Sequence, residues 1–409
     1  MLSVAHQPNH MATMTAHRFP WLALIAALWL GLAHTVLADD PVAQVRSLAQ
    51  ASLLVKERGQ DRIAYQAETA RIPASTMKLL TAYAALETWG RDHRFHTDLF
   101  QDDAGWLWVK GSADPYLVSE ELDRLVATLK QQGVRQVAGI GLDDSLFAPD
   151  VEIAGRSTSS NPYDAPVTAL AVNFNTLNVI REGERIRSAE SQTPLTATGE
   201  RLGRAGAAGK QRINLREREI ALRYFGELLA AKLRTAGLDV GDQQRIAPTP
   251  SNAKRVLRHA NSRTLAEMVA PMLKYSNNFV ANTLFLRLAV PHGQDQISMA
   301  KAKHAMTDFA QRRFGWTGFK IDDGAGLSRA NRLSARQLVE LLDAFAPYRD
   351  LMPQQDDDPD VRAKTGTLRG ISSYAGYVQR DGVWEPFALL IEQPVDYDLR
   401  RRVASQLVH

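Results

Sequence analysis

The sequence predicts a mixed α/β (α+β) protein in which strands from both ends of the chain enclose a helical middle. Apolar runs flank turn signals at Ser52 to Ala67 and again at Tyr374 to Ile391. Apolar residues recur at helical spacing after Pro73, after Arg216 and after Ser262. The 409 residues are 45% hydrophobic and 23% charged, an ordinary globular composition long enough for two or three domains.

The first forty residues read as a processing segment. Arg18 supplies a positive charge, Trp21 to Leu32 is nearly all apolar, and Val36-Leu37-Ala38 is a small-residue cleavage site. This predicts a signal peptide over 1-38 and export. A membrane anchor is the alternative, but the run falls short of the ~20 apolar residues a span needs. No other stretch is apolar enough to cross a bilayer. The chain has no Cys, so it carries neither disulfides nor a lipid on an N-terminal cysteine. The net charge of +4 is small and dispersed, which argues against nucleic acid as a partner.

In the first hairpin Leu53 to Val55 and Ile63 to Tyr65 form the strands and Arg58-Gly59-Gln60 the turn. The segment from Met77 to Leu86 is apolar on nearly every side, so this helix is expected to be central and buried, ending at Gly90. Beyond Arg91 short strands (Trp106 to Val109, Val137 to Leu142) alternate with Gly, Asp and Pro. The polar stretch Arg181 to Gly209 reads as loop or a reduced subdomain. Arg216 to Gly237 is a helix. Another begins near Asn261 or Ser262, both suitable caps. A second hairpin turns at Asp381-Gly382.

Three short motifs then appear in fixed order: Ser75-Thr76-Met77-Lys78, Ser276-Asn277-Asn278 and Lys364-Thr365-Gly366. They supply a serine nucleophile, a lysine one helical turn away, a second serine with an amide partner, and a basic residue on a strand. Each alone is weak: Ser251 and Ser298 also begin Ser-x-x-Lys matches, and Ser159-Ser160-Asn161 repeats the second pattern. Context separates them. Ser75 lies at the first turn of the buried helix, where free backbone N–H groups can stabilise an oxyanion. The i, i+3 spacing puts Lys78 on the same helix face, and a lysine among apolar groups has a lowered pKa and can take the serine proton. Gly366 leaves room for a substrate backbone beside the strand. Thr365 and Thr367 share a strand face and, with Lys364, make a carboxylate site. His93 and His96 have no third ligand at a recognisable spacing, so no metal is implied.

The ordered trio is that of penicillin-binding proteins and class A β-lactamases. The chain resembles most the D-Ala-D-Ala carboxypeptidase/endopeptidase branch, peptidase family S13. The segments Arg71-Ile72-Pro73-Ala74-Ser75, Gly111-Ser112-Ala113-Asp114-Pro115, Asp143-Asp144-Ser145-Leu146-Phe147, Asp323 to Arg329 and Ala363 to Leu368 add to the likeness. The interval from Ser75 to Ser276 is far longer than a β-lactamase uses. The resemblance implies a penicillin-binding/β-lactamase-like transpeptidase fold, an antiparallel sheet flanked by helices, with an inserted mixed α/β domain. The expected division is a catalytic domain over 39-91 plus 256-409 and an insert over 92-255. A nested subdomain near 176-216 is expected to be reduced or absent.

The resemblance also implies roles. Ser75 attacks the carbonyl between two D-amino acids with Lys78 as base. Ser276 and Lys364 pass a proton to the leaving amine, and Asn278 holds the substrate amide. Thr365, Gly366 and Thr367 bind the substrate end, with an oxyanion hole from Ser75 and Thr367 N–H. Asp143, Arg329 and Arg369 are candidates to read a zwitterionic diaminopimelate side chain. The implied partners are peptidoglycan stem peptides and β-lactam antibiotics in a Gram-negative periplasm, with no cofactor. Two other readings compete: a β-lactamase or esterase on the same fold, and a catalytically slow penicillin-recognising or cell-wall-binding protein.

Overall fold

The structure, a computed structural model, describes residues 40–289, 296–356 and 358–408. The leader expected over 1-38 lies outside them. Helix α1 (Pro41–Ser47) is capped by Asp40, whose carboxylate accepts from the Ala43 N–H at 2.9 Å. Strands β1 (Ala51–Glu57) and β2 (Gln60–Tyr65) form the first hairpin. Its turn residues Arg58 and Gly59 have φ of 50° and 76°, the left-handed pair that matches the twist of a tight hairpin. A 3₁₀ turn (Ala74–Thr76) then leads into helix α2 (Met77–Trp89).

The chain next builds β3 (His96–Gln101), β4 (Trp106–Lys110), α3 (Ser119–Gln131), β5 (Gln136–Val137) and β6 (Gly139–Asp143). It continues through β7 (Thr176–Glu182), β8 (Arg185–Ser188), α4 (Ala197–Ala205), β9 (Gly209–Asn214) and α5 (Arg218–Thr235). Then come β10 (Asp239–Val240), β11 (Gln244–Ile246) and β12 (Lys254–Ala260). Helices α6 (Leu265–Lys274), α7 (Asn278–Arg287), α8 (Met299–Phe314) and α9 (Ala335–Phe345) follow. The end of the chain forms β13 (Gln354–Gln355), β14 (Asp358–Leu368), β15 (Ile371–Arg380), β16 (Val383–Ile391) and α10 (Leu399–Val408).

The main sheet has the order β13-β14-β15-β16-β1-β2, with every neighbouring pair antiparallel. Strand alternation splits its side chains between two cores. Leu53, Val55, Phe387 and Leu389 face α1 and α10, where Val45, Val403 and Leu407 are buried. Leu54, Ala388 and Leu390 face the helical layer of α2, α6, α7 and α9. Every residue of α2 from Met77 to Leu86 is buried, Lys78 and Thr81 included. Such all-round burial is what its even apolar distribution predicts.

A second sheet, β11-β6-β4-β3-β12, packs Leu107, Val109, Ile140 and Leu142 against Leu125, Leu129, Phe225 and Leu228 of α3 and α5. Strand β12 pairs with β3 from Lys254↔Gln101 to Ala260↔His96. The boundary expected at residue 255 therefore falls inside a strand of this sheet.

The stretch from Arg181 to Gly209, read from the sequence as loop or a reduced subdomain, is not loop, and two other local expectations change. This stretch belongs to an antiparallel sheet, β8-β7-β9, covered by α4. Only one face of this small sheet is covered, so few apolar residues mark it. Its helix end is closed instead by Arg181, which donates to the carbonyls of Arg204 and Gly206 at 2.7 and 2.8 Å. The α6 cap is Thr264, in a reciprocal capping box with Glu267. Asn261 and Ser262 are unavailable for capping because their side chains donate to Asp114 and Glu121. The helix expected from Arg216 begins at Arg218, since Arg216 has φ of 56°.

Candidate active site

Ser75 sits on a turn held from both sides. The preceding Ala74 has φ of 47°, a left-handed conformation that costs a non-glycine residue about 1–3 kcal/mol and persists only where surroundings over-determine it. Here Ser373 Oγ and Thr76 Oγ1 both donate to the Pro73 carbonyl, at 2.6 and 2.7 Å. Gly366 of β14 approaches so closely that a Cβ on it would lie 2.8 Å from the Ser75 nitrogen. Gly326 closes from the other direction, where a Cβ would lie 1.8 Å from the Ala74 oxygen.

Lys78 is 0% exposed, yet its ammonium is fully coordinated. Its Nζ lies 3.0 Å from Ser75 Oγ, 2.8 Å from Asn278 Oδ1 and 2.7 Å from the Ala325 carbonyl. The amide oxygen and the carbonyl can only accept, so two N–H bonds are committed to them. In the neutral amine the remaining position, the lone pair, faces the Ser75 hydroxyl. Burial pushes the Lys78 pKa well down, the Lys364 charge pushes it further, and Asp323 opposes both. The neutral form is thus favoured, and it is oriented to accept a proton.

Asp323 organises the loop behind Lys78. This buried carboxylate accepts from the N–H groups of Ala325, Leu327 and Ser328 at 3.0, 3.1 and 3.0 Å and from Asn331 Nδ2 at 2.6 Å. Thr81 Oγ1 donates to the Gly324 carbonyl at 2.7 Å. Together these fix where the Ala325 oxygen points.

The second motif lies at the α6–α7 junction, where Ser276 has φ of 54°. Asn277 caps α7 by accepting from the Val280 N–H at 3.1 Å. That frees Asn278 to reach across to Lys78, while its Nδ2 donates to the Tyr163 carbonyl at 3.1 Å. One amide thereby links α2 and α7 to the segment between β6 and β7.

The third motif occupies the C-terminal half of β14. Lys364 is 2% exposed, and burial with the nearby Arg400 charge lowers its pKa to about 8. Its Nζ donates to the Thr365 carbonyl at 2.8 Å. Thr367 Oγ1 accepts from Arg400 Nη1 at 2.9 Å, and the same nitrogen donates to the Gly366 carbonyl at 3.2 Å. With its oxygen so engaged, the Thr367 hydroxyl proton is free to donate outward. Arg400, on α10, carries no distinguishing signal in the sequence because it sits in an ordinary basic run, Arg400-Arg401-Arg402.

The structure therefore brings all three motifs together. Two expectations need correction. Gly366 does not leave an open lane for substrate, because the Ser75 backbone fills the space a side chain would take. Asp143 is buried with both oxygens occupied. One accepts from Ser145 N and Oγ at 3.0 and 2.5 Å, the other from Thr249 N and Oγ1 at 2.8 and 2.7 Å. Burial raises its pKa, but these hydrogen bonds outweigh it and leave the carboxyl below its ordinary value. Asp143 anchors two loops and has no acceptor left to read a substrate. Arg329 and Arg369 are exposed neighbours, with Arg329 donating to the Arg369 carbonyl at the β14–β15 turn. Among the described residues no group of three or more His, Cys, Asp or Glu is placed to hold a metal, and no helix is long and apolar enough to cross a membrane.

Comparison with known proteins agrees with this geometry. The family model for the D-Ala-D-Ala carboxypeptidase 3 (S13) family matches residues 36–223 and 203–355. A D-alanyl-D-alanine carboxypeptidase of an Actinomadura species is 27% identical over 391 residues, spanning 75% of this chain and 70% of its own. The D-alanyl-D-alanine carboxypeptidase DacB of Haemophilus influenzae is 23% identical over 383 residues, spanning 77% and 78%. The crystal structure of penicillin binding protein 4 from Haemophilus influenzae superposes with a TM-score of 0.72 at 20% identity, covering 90% of this chain and 97% of that one. A predatory peptidoglycan endopeptidase from Bdellovibrio bacteriovorus shares the fold at a TM-score of 0.53 and 17% identity, covering 88% and 90%. With both matched segments spanning well over half its length, and the three motifs meeting in one site, the chain belongs to the D-Ala-D-Ala carboxypeptidase 3 (S13) family.

Proposed function

We propose that this protein is a serine-type D-Ala-D-Ala carboxypeptidase and/or D,D-endopeptidase acting on peptidoglycan peptides through an acyl-enzyme on Ser75, and that β-lactams inhibit it by acylating the same oxygen. The observation that carries this reading is the 3.0 Å contact between Nζ of the fully buried Lys78 and Oγ of the half-buried Ser75. A general base must reach the proton it takes, and its pKa must fall toward working pH.

In the proposed reaction Ser75 Oγ attacks the carbonyl carbon of the D-Ala–X bond and its proton passes to Lys78. The Ser75 and Thr367 N–H groups stabilise the oxyanion. Lys364, still largely protonated at neutral pH, passes a proton through Ser276 to the leaving amine as the C–N bond breaks. Thr365 and Thr367 bind the leaving carboxylate, and Asn278 orients the substrate amide. Water then attacks the ester, releasing the shortened peptide and restoring the Ser75 hydroxyl. Arg329 and Arg369 add positive charge at the rim for anionic substrate groups. We assign residues 39-91 with the segment after Ala260 to the catalytic domain and place the protein in the periplasm of a Gram-negative cell.

Fluorescent penicillin labelling of wild type and Ser75→Ala tests the nucleophile. Label on the wild type and none on the variant is expected; label surviving the substitution would sink the assignment. Digestion of purified muropeptides, followed by mass spectrometry, tests the activity itself through loss of one terminal D-Ala or splitting of cross-linked dimers.

A further inference from the structure

Asn278 joins Lys78 to a loop between β6 and β7 that takes no part in the reaction steps above. Its Oδ1 lies 2.8 Å from Lys78 Nζ, and its Nδ2 donates to the Tyr163 carbonyl at 3.1 Å. A carbonyl can only accept, so this contact decides which way round the amide sits. Turned over, the amide would set its oxygen against the Tyr163 oxygen. With Nδ2 held, Oδ1 faces Lys78 and takes one of the N–H bonds that leave the lone pair aimed at Ser75 Oγ.

The Tyr163 carbonyl is fixed in turn by a buried carboxylate. Tyr163 lies in a 3₁₀ turn (Pro162–Asp164), and Asp164 is 3% exposed. Asp164 Oδ1 accepts from the Ser157 N–H at 3.1 Å, and Oδ2 accepts from Ser157 Oγ at 2.7 Å and from Ser159 Oγ. The Asp164 carbonyl accepts from Arg156 Nη1 at 3.0 Å. From the other side Asn214, at the end of β9, donates through Nδ2 to the Ser159 and Asn161 carbonyls at 2.7 and 2.6 Å. The Tyr163 ring itself is largely exposed, so hydrogen bonds rather than ring packing set the turn. A carboxylate is costly to bury without such partners, and here every one of them lies within residues 156–164.

We propose that Asp164 is a positioning residue for the Lys78–Asn278 pair: by closing its loop it holds the Tyr163 carbonyl where only one orientation of the Asn278 amide satisfies both partners. This rests on the peptidase reading above. Asp164 touches neither substrate nor the reacting atoms. It acts through a backbone carbonyl and one amide, and the chain between β6 and β7 thereby shares in the proton transfer at Ser75. Asn214 extends the same support into the small β8-β7-β9 sheet.

The test measures penicillin acylation across pH in wild type, Asp164→Ala and Asp164→Asn, alone and combined with Asn278→Ala, with thermal melting to show folding. Asp164→Ala frees the loop and with it the amide, so the saturated acylation rate is expected to fall about tenfold. The acid limb should move to lower pH, because Lys78 loses an acceptor that favours its charged form. Lys364 and Asp323, the charges that act on Lys78, stay in place. Asp164→Asn keeps an oxygen for the Ser157 N–H and should restore most of the rate. In the Asn278→Ala background there is no amide to orient, so Asp164→Ala should change the rate by less than about twofold. Losses that multiply in that background, or a rate that falls while the acid limb stays in place, would mean general loosening and overturn the proposal. An acylation rate that holds or rises in Asp164→Ala overturns it too. Should Asp164→Ala not fold, the double variant Ser157→Ala, Ser159→Ala strips the carboxylate of two hydroxyl donors and is read by the same criteria. A wild type that penicillin does not acylate overturns the peptidase reading and the proposal with it.

Discussion

Gly366 and the Ser75 backbone nitrogen approach so closely that a single added methyl would lie 2.8 Å away. Strand β14 is thus a wall of the Ser75 turn as well as the proposed surface for substrate. Gly366→Ala must push β14 and the Ser75 turn apart. A shift of about 1 Å in a reacting group costs on the order of 10²-fold in rate. Penicillin acylation by Gly366→Ala should slow by about that factor while thermal melting shows a folded protein. Gly326→Ala, at φ of 79° and against the Ala74 carbonyl, should do the same from the opposite side.

The two buried lysines make activity and stability compete. For Lys364 the sign is set by a folded pKa of about 8 against the ordinary lysine value of 10.5. The unfolded chain binds more protons between these values, so stability rises with pH across that window, and below it the folded state carries the full cost. That difference corresponds to about 3 kcal/mol. Lys364→Met should therefore raise the melting temperature at pH 7 while abolishing acylation. A melting temperature that falls instead would show that the Nζ contact with the Thr365 carbonyl outweighs burial.

Acylation should be bell-shaped in pH. The acid limb reports Lys78 losing its proton, at a pKa held well below that of free lysine. The alkaline limb reports Lys364, near pH 8. Stopped-flow acylation across pH 5 to 10 would resolve both limbs.

Arg400 should set the position of the alkaline limb. Its charge lowers the Lys364 pKa, so Arg400→Gln should move that limb to higher pH. A structural role alone would lower the rate at every pH and leave the limb in place, which separates the two effects in one titration.

Far from Ser75, Asp114 is fully enclosed, accepting from Asn261 Nδ2 at 2.8 Å and the Tyr116 N–H at 2.9 Å. Burial raises its pKa to about 6. A raised carboxyl pKa means the folded state holds the extra proton, so this group's contribution to stability falls as pH rises from about 4 to 6. Asp114→Asn should remove that decline and stabilise the protein at pH 8 by up to about 3 kcal/mol. Thermal melts across pH would show it as convergence of the two proteins at acid pH.

The sequence by itself determined the three motifs and their order. The three motifs, the buried helix carrying Ser75 and Lys78, and the turns at Arg58-Gly59 and Asp381-Gly382 are all legible because each depends on residues a few positions apart. Helical periodicity, the left-handed preference of glycine and the alternation of a strand are short-range properties. The tertiary structure alone decided what depends on neighbours distant in the chain. It made Gly366 a contact for Ser75 and occupied both oxygens of Asp143. It folded the polar stretch after Arg181 into a covered sheet. It set Arg400 beside Lys364. Desolvation and through-space charge tune Lys78 and Lys364, and both arise from packing between segments hundreds of residues apart, which no local spacing records.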